Sequence, residues 1–543
     1  MKKITLSFAL LGAFMFTTAQ QVQTNEPNAE ELAKRNWFHA NFATDSIYGT
    51  ASKAAYEYAE SKGLKPSPVI VGVLDSGVEI THEDLKNVLW TNLDEIPGNG
   101  IDDDKNGYID DLHGWNFIGG ADGSHVNADN LEITRLVREG MNLFETKDQF
   151  TNETNIKKYP EKYAAYKDMK IEVEEKLASA KMMIANFETQ IAGLRDMFNT
   201  FATEYGPDKE ITEEGLKNYN PTNPQIMGLK QGFMATLGTD RAGEVFGNTP
   251  NSMIADIEKD LKDNKALNYY KSQLNHYDVN FDSRKIVGDN YEDKTERYYG
   301  NNDVDGPDSF HGSHVAGIIA AENGNDIGID GIARNVKIMA VRTVPDGDER
   351  DKDVANAIRY AVDNGAKILN MSFGKAYSPE KELVWDAIKY ATEKDVLLIH
   401  AAGNDNKDID IESNFPTNYR DGKEWSNTWL TVGASSRYND KVKASFSNFG
   451  VEHVDIFGPG VEIYSTVPKN TYDWAQGTSM AAPAVAGVAA MVWSYYPRLS
   501  ATQVRQILMD SGNEHPDLKG MSKNAKIVDA LKALKLAEKV VNQ

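Results

Sequence analysis

Five short, continuous apolar runs constrain the fold of this chain more than any other feature of its sequence. They occupy residues 69–74, 336–341, 367–372, 396–401 and 429–434. Because the runs are continuous rather than alternating, they are typical of parallel strands that helices cover on both faces. Helical patterns separate most of them, for example at 353–365 and 382–394. The sequence therefore predicts an α/β protein with a doubly wound, mostly parallel sheet, in which sites form at the carboxyl ends of strands.

Residues 116–300 do not follow this alternation. Within them, apolar residues recur at alternating spacings of four and three, as in a heptad repeat. They are Val173, Leu177, Ala180, Ile184, Phe187, Ile191, Leu194, Phe198 and Phe201. The pattern predicts a long helix that ends at Gly206-Pro207. We interpret 116–300 as an inserted, mainly helical module whose long helix packs against another helix of the same chain, with a coiled coil for a partner protein as the alternative.

The first twenty residues carry two lysines, then an apolar run, then small residues. This is the pattern of a signal peptide, with cleavage near Ala19 or Gln20. The protein is therefore expected to be exported, to the periplasm or the exterior, and no later segment is apolar enough to span a membrane. We expect residues 21–115 and 301–543 to form the two parts of one α/β domain on either side of the insertion.

Charge and cysteine content exclude several classes of function. The 543 residues carry a net charge of −23 and no cysteine. A nucleic-acid partner is not expected, because a phosphate backbone selects clustered cations. Disulfides are excluded, so the fold must be held by its core and by any cations that its acidic groups bind.

Three polar motifs supply an acid, an imidazole and a hydroxyl. Asp75 ends the first predicted strand in VLDSG, His311 opens HGSH, and Ser479 lies in QGTSMAAP. Asp, His and Ser in this order is one of the known chain orders of a nucleophilic triad. A serine hydroxyl is a weak nucleophile that needs a neighbouring base. We expect His311 to be that base and Asp75 to fix its tautomer and stabilise its charged form.

The neighbours of Ser479 and a fourth motif complete this site. Ala481 and Ala482 let a helix lie close to the sheet, and we place Pro483 in the first helical turn, where an N–H has no intrahelical partner. Asn404 follows a predicted strand in the segment AAGN. Its amide is expected to donate a hydrogen bond to a tetrahedral oxyanion, together with the N–H of Ser479.

These four segments resemble the subtilisin-like serine peptidases, the subtilase family, over about residues 35–115 and 300–543. The resemblance implies a subtilisin-like fold and serine endopeptidase activity on protein or peptide substrates through an acyl-enzyme. It also implies the residue roles. Asp75, His311 and Ser479 match the catalytic triad, and Asn404 matches the oxyanion asparagine.

The same resemblance implies where a substrate binds. A substrate strand is expected to pair beside one segment and to fill a pocket lined by a second. The first is Ser372, Phe373 and Gly374, and the second is Ala401, Ala402 and Gly403. Asn414 occupies a position at the pocket floor where the family commonly has glycine. We expect it to make the pocket shallower and more polar, so that small or polar side chains are favoured.

An acidic loop provides a separate signal. Asp102, Asp104 and Asn106 stand at positions 1, 3 and 5 of a calcium-type loop, the carbonyl of Tyr108 stands at position 7, and Asp111 stands at position 10. So many carboxylates in one turn repel each other without a cation. We predict a structural calcium site, with a solvated acidic turn as the alternative.

Other interpretations remain open at this level. His311 and His314 could be zinc ligands, although no acidic third ligand is spaced as such a site requires. The residues Asn302, Asp303, Asp305 and Asp308 form a second acidic cluster, which we interpret as a loop, with calcium as the alternative. The same acyl-enzyme could serve peptide ligation. A non-catalytic exported binding protein would require a broken triad.

Overall fold

The predicted apolar runs form the core of one nine-stranded sheet in the computed structural model, which describes residues 28–262 and 264–543. The predicted signal peptide, residues 1–20, lies outside the described residues. Within them, no helix has the length and apolar character needed to cross a membrane.

The order of strands in the sheet is β12-β13-β9-β8-β5-β4-β1-β3-β2. The strands of this sheet are β1 Val69–Asp75, β2 Gly114–Asn116, β3 Val336–Arg342, β4 Ile368–Met371, β5 Leu397–Ala401, β8 Trp429–Ser435, β9 Ile456–Pro459, β12 Asn513–Glu514 and β13 Lys526–Ile527; two hairpins lie outside it, β6 Tyr419–Arg420 with β7 Lys423–Glu424, and β10 Ile463–Val467 with β11 Thr471–Ala475. All pairs in the sheet are parallel except β12 with β13. The prediction of a mostly parallel α/β sheet is confirmed.

The described residues form sixteen α-helices, and those outside residues 148–278 include the helices that cover both faces of the sheet. Their bounds are α1 Ala29–Arg35, α2 Phe42–Asp45, α3 Ser52–Ser61, α4 Glu132–Phe144, α5 Gln149–Lys158, α6 Pro160–Tyr205, α7 Glu213–Asn218, α8 Pro224–Ala235, α9 Pro250–Lys262, α10 Lys265–Tyr277, α11 Phe310–Ala320, α12 Asp351–Asp363, α13 Lys381–Glu393, α14 Thr478–Tyr495, α15 Ala501–Ser511 and α16 Ala530–Val541. Along β1, Val71 and Val73 pack in a core with α11 and α14, whereas Leu74 packs in a second core with α12 and α13. Both sides of the strand are therefore buried, which explains why its sequence is apolar without alternation.

The chain divides into two compact units, of which the sheet and its helices form one and Asp148–Asp278 forms the other. The second unit is helical, and its bounds lie inside the predicted insertion, 116–300. The flanking segments, which contain β2 and α4, belong to the sheet unit. The predicted long helix is α6, and all nine residues of its heptad seam are buried or half-buried.

The partner helices of α6 belong to the same chain. It packs against α10 and α9, and the rings of Phe187 and Tyr270 lie 6.2 Å apart, centre to centre. Phe198 and Phe201 enter a core of their own with Phe233 of α8. Intramolecular packing, the interpretation preferred from the sequence, is confirmed.

Candidate active site

Asp75 and His311 meet at the carboxyl end of β1. The Nδ1 atom of His311 lies 2.7 Å from Oδ1 of Asp75, and the Ser76 N–H donates to the same oxygen at 2.7 Å. The Asp75 side chain is 2 % exposed, whereas that of His311 is 38 % exposed. The buried carboxylate therefore orients an imidazole whose other nitrogen is free to face an open cleft.

The electrostatics of this pair favour a protonated imidazole. Burial disfavours the charged form of His311, but the negative charge of Asp75 and its hydrogen bond outweigh burial, and the pKa of His311 is raised above its ordinary value. The second carboxylate oxygen of Asp75 is buried and has no hydrogen-bond partner among the described residues.

A glycine after His311 allows this pair to form. Helix α11 begins at Phe310, so His311 and Gly312 lie in its first turn. A Cβ atom at Gly312 would lie 2.0 Å from the carbonyl oxygen of Gly77, just beyond β1. Only glycine lets the helix approach the strand end closely enough for His311 to reach Asp75.

Ser479 lies in the first turn of α14 and is joined to the segment after β4. Its hydroxyl donates to the carbonyl of Ser372 at 3.1 Å, and the Ser372 hydroxyl donates to the carbonyl of Ser479 at 2.9 Å. No hydrogen bond joins Ser479 to His311 in the described part of the chain. Catalytic hydrogen bonds are often loose in the absence of substrate, so this geometry does not exclude a nucleophile–base pair.

Pro483 does not lie in the first helical turn, where it was predicted. Helix α14 begins at Thr478, so Pro483 is beyond the first turn rather than within it. In a regular helix its missing N–H would have bonded the carbonyl of Ser479, four residues earlier. The hydroxyl of Ser372 supplies that bond instead. The proline therefore frees a carbonyl that ties the start of α14 to the end of β4.

Asn404 is fixed through its side-chain oxygen. That oxygen accepts the backbone N–H of Thr478 at 2.8 Å and the Thr478 hydroxyl at 3.0 Å. The same hydroxyl accepts the N–H of Gly403 at 3.0 Å. The amide nitrogen of Asn404 is thereby left as a donor, and the residue is exposed. Thr478 is not among the predicted site residues, because its role depends on this spatial contact and has no motif of its own.

The residues predicted to line a substrate cleft lie at the same edge of the sheet. Ser372, Phe373 and Gly374 follow β4 and line a cleft of about 450 Å³ that also contains Asp75 and His311. Ala401 ends β5, and Ala402 and Gly403 follow it. The structure thus gathers the ends of β1, β4 and β5, as parallel strand order requires.

Asn414 lies between the two predicted walls of the pocket. Its amide nitrogen donates to the carbonyl of Ala402 at 3.2 Å. Its side-chain oxygen would lie 3.2 Å from a Cβ atom built on Gly374 and 3.7 Å from one built on Gly403. The side chain therefore occupies space that a glycine at this position would leave open.

The acidic loop brings together two of the predicted ligands with one residue that the sequence analysis missed. Oxygens of Glu95, Asp104 and Asp111 all lie within 4.8 Å of one another. Glu95 precedes the loop, and nothing in the loop spacing identifies it. Asp102 instead accepts the N–H groups of Asn106 at 3.0 Å and Gly107 at 2.9 Å.

The three convergent carboxylates fit a hard cation. Their donor set is entirely oxygen, which calcium prefers. No ion pair to a basic residue is formed by them in the described chain. Amide nitrogens of Asn92 and Asn106 donate to both Asp104 and Asp111. Burial raises the pKa of Asp111 to about 6.

His314, the alternative zinc ligand, and the second acidic cluster both have partners within the protein. His314 is buried, and its Nε2 atom lies 3.2 Å from the carbonyl oxygens of both Ile463 and Asp473. Burial lowers its pKa to about 3. In the second cluster, Asp303 lies 3.1 Å from His125, Asp305 accepts the Ser309 hydroxyl, Asp308 accepts the Phe310 N–H at 3.1 Å, and Asn302 donates to the Asp110 carbonyl at 3.0 Å.

Comparison with known families gives one match that covers most of the chain. The model of the family Peptidase_S8, described as the subtilase family, matches residues 67–528.

Individual relatives match over shorter stretches. A thermophilic serine proteinase of Bacillus sp. (strain AK1) is 42% identical over 196 residues, which cover 36% of this chain and 45% of that protein. Subtilisin DY of Bacillus licheniformis is 35% identical over 209 residues, covering 38% and 72% of the two chains. The chain thus spans less than half the length of the first relative. Among solved structures, proteases from Pseudoalteromonas arctica PAMC 21717 align with a TM-score of 0.38 and 27% identity, over 44% of this chain and 78% of theirs.

The raised pKa of His311 gives a direct prediction. In a histidine NMR titration, the imidazole of His311 is expected to titrate above pH 6.5, and Asp75→Asn is expected to lower that midpoint because the carboxylate charge is removed. His314 serves as the internal control and should stay neutral from pH 5 to 9. An unchanged midpoint in Asp75→Asn would show that Asp75 does not act on the imidazole.

Proposed function

The chain belongs to the subtilase family of serine peptidases, and on that premise we propose that it is an exported serine endopeptidase. One observation carries the proposal. The bond of 2.7 Å between His311 and the buried Asp75 faces the same strand ends as Ser479 and Asn404. The signal-peptide pattern of residues 1–20 supports export.

The first chemical step forms a bond between the Ser479 hydroxyl oxygen and the scissile carbonyl carbon. In the free protein that hydroxyl donates to Ser372, so the step begins with its rotation towards His311. The free ring nitrogen of His311 takes the hydroxyl proton, and Asp75 stabilises the resulting imidazolium. When the C–N bond breaks, His311 returns the proton to the leaving amine. Water then takes the place of the amine and attacks the acyl-enzyme. His311 accepts a proton from the water and returns it to Ser479 as the acyl group leaves.

Two donors would hold the oxyanion that develops in this step. One is the amide nitrogen of Asn404, which Thr478 orients by holding the side-chain oxygen. The other is the N–H of Ser479, in the first turn of α14, where N–H groups lack intrahelical acceptors. Such preorganised donors act on charge that exists only in the transition state.

We also propose that Glu95, Asp104 and Asp111 hold a structural calcium ion. Bound there, the ion would offset most of the negative charge of the three carboxylates and fix the loop that follows β1. It takes no part in the peptidase reaction. The carbonyl of Tyr108 and the side chains of Asp102 and Asn106 complete the ligands expected from the loop pattern.

A fluorophosphonate probe tests the proposed function. The protein from Gln21 onward is expected to be labelled and to cleave casein, whereas Ser479→Ala should do neither. Asn404→Ala should reduce turnover about a hundred- to a thousand-fold, a magnitude established on subtilisin, itself a member of this family. Folded protein that is neither labelled nor active would contradict the proposal.

Removal of calcium gives a second prediction. With EDTA the protein is expected to unfold at a temperature several degrees lower, because an ion present at a hundred times its Kd stabilises the folded state by about 2.7 kcal/mol. Combining Asp104→Asn with Asp111→Asn should abolish the difference between EDTA and calcium. The matched control, Asp405→Asn on an exposed turn, should retain it. Equal melting temperatures in EDTA and calcium for the unaltered protein would contradict the site.

Asn414 gives a prediction about specificity. Asn414→Gly should raise kcat/KM for a peptide with phenylalanine before the scissile bond, relative to alanine, by about tenfold or more, because apolar contacts in a pocket discriminate by such factors. The carbonyl of Ala402 keeps a second donor, Asn448, at 2.9 Å, so the variant leaves no orphaned acceptor. Asn439→Gly, on an exposed loop, is the control. An unchanged ratio of the two kcat/KM values would show that Asn414 does not line the pocket for this substrate residue.

A further inference from the structure

The cleft beside Asp75 and His311 has an excess of carboxylates. Its lining includes the acids Asp75, Asp308, Asp346 and Glu349, whereas Arg342 is the one arginine or lysine and His311 the one histidine in that lining. The guanidinium of Arg342 is buried and donates to three uncharged oxygens, on Ser76, Asn116 and Val126, at 2.8, 3.2 and 2.7 Å. None of these hydrogen bonds goes to a carboxylate, and acidic side chains outnumber arginine and lysine in the cleft lining. The cleft therefore carries an excess of negative charge.

Glu349 is the carboxylate whose position needs an explanation. It is 2 % exposed, yet its Oε1 atom has no hydrogen-bond partner among the described residues. Buried polar atoms in folded proteins almost always have a partner, because an unsatisfied one loses its hydrogen bonds to water without replacing them. Glu349 is one of the residues that line the cleft, so a substrate bound there can supply the missing donor.

No nearby base supplies that donor. The ammonium of Lys375 binds Glu132 at 2.8 Å and Asp351 at 2.9 Å. It also donates to the backbone carbonyl of Glu349, at 2.8 Å, rather than to its side chain. Arg135 likewise donates to that carbonyl, at 3.3 Å. The cations that approach Glu349 are thus committed to other acceptors.

We propose that Glu349 binds a cationic side chain of the substrate, arginine or lysine, located two to four residues before the scissile bond. This inference rests on the proposed peptidase function. The cleft that holds Glu349 also contains Phe373 and Gly374, beside which the substrate strand is expected to pair. The residue directly before the scissile bond is assigned to the Asn414 pocket, so Glu349 meets a residue further upstream.

A guanidinium or ammonium suits this position better than a metal ion. Each brings several N–H donors, and arginine can bind a carboxylate through two parallel hydrogen bonds. A divalent cation needs several convergent ligands. Glu349 belongs to no such group of three among the described residues.

The ionisation of Glu349 adds a pH dependence to the proposal. Burial raises its pKa to about 8; Lys375 opposes this rise, while Asp348 and Asp351 add to it. The other titratable and charged groups that line the cleft are Asp75, Asp308, Asp346, His311 and Arg342. The carboxyl is therefore mainly neutral at pH 6 and mainly charged at pH 9, so its attraction for a cation grows as the pH rises.

Paired fluorogenic peptides test the proposal. Each pair differs only at one upstream position, which is arginine in one peptide and citrulline, its uncharged isostere, in the other. At pH 9 the ratio of kcat/KM, arginine over citrulline, should reach about ten- to a hundred-fold at one of the three positions, the range for hydrogen bonds to charged groups. Glu349→Gln should bring that ratio close to one. Glu57→Gln, on the exposed face of α3, is the matched control and should keep it.

The pH dependence keeps the test independent of whether Glu349→Gln folds. In the unaltered protein the ratio should be small at pH 6 and rise towards pH 9. The ionisation of His311 affects both peptides of a pair equally and cancels in the ratio. Ratios near one at all three positions, with both peptides cleaved, would overturn the cationic subsite and leave the peptidase function intact. Failure to cleave any peptide or casein, without probe labelling, would overturn the proposed function and this inference with it.

Discussion

The hydrogen bond between Asp75 and His311 is the constraint on which the rest of this structure depends. It joins the end of a central strand to the first turn of a helix that lies more than two hundred residues further along the chain. A buried carboxylate is unfavourable unless it accepts hydrogen bonds or faces a positive charge. Asp75 receives the Ser76 N–H and the imidazole, and the imidazole in turn gains basicity from the carboxylate. One hydrogen bond therefore both stabilises the buried carboxylate and raises the basicity of the imidazole.

The second constraint is the attachment of α14 to the sheet. Reciprocal hydrogen bonds between Ser372 and Ser479 hold the helix start against the segment after β4. The Ser479 carbonyl is free to accept one of these two bonds because Pro483 lacks the N–H that would otherwise bind it. A residue that usually disrupts a helix therefore fixes the position of the proposed nucleophile. Thr478 extends the same attachment to Asn404 beyond β5.

Local patterns predicted much of this arrangement, and long-range contacts account for what they missed. The strands β1, β3, β4, β5 and β8 can be recognised in the sequence, because a strand that is buried on both faces is apolar at every position. Glu95 and Glu349 have no such signature, since their importance comes from what the folded chain places beside them. Residues 116–147 fall within the predicted insertion because they do not follow the strand–helix alternation, yet they belong to the sheet unit. There Arg135 and Glu132 form a buried ion pair at 2.6 Å, which a sequence cannot distinguish from a solvated charge pair.

The hydrogen bonds of a half-buried arginine explain how the sheet unit accommodates a long insertion. The chain leaves this unit after Lys147 and returns at Val279. Before the exit, Arg138 of α4 donates to the carbonyl of Val279 at 2.8 Å and also to that of Phe281. The two ends are therefore held together by contacts inside the sheet unit. Lengthening a loop whose ends are already held together costs little additional entropy, because the entropic cost of closing a loop grows only logarithmically with its length. The inserted residues also bury apolar side chains in a core of their own. An excursion between Asp75 and His311 can thus be long without loosening the strand ends at which these residues meet.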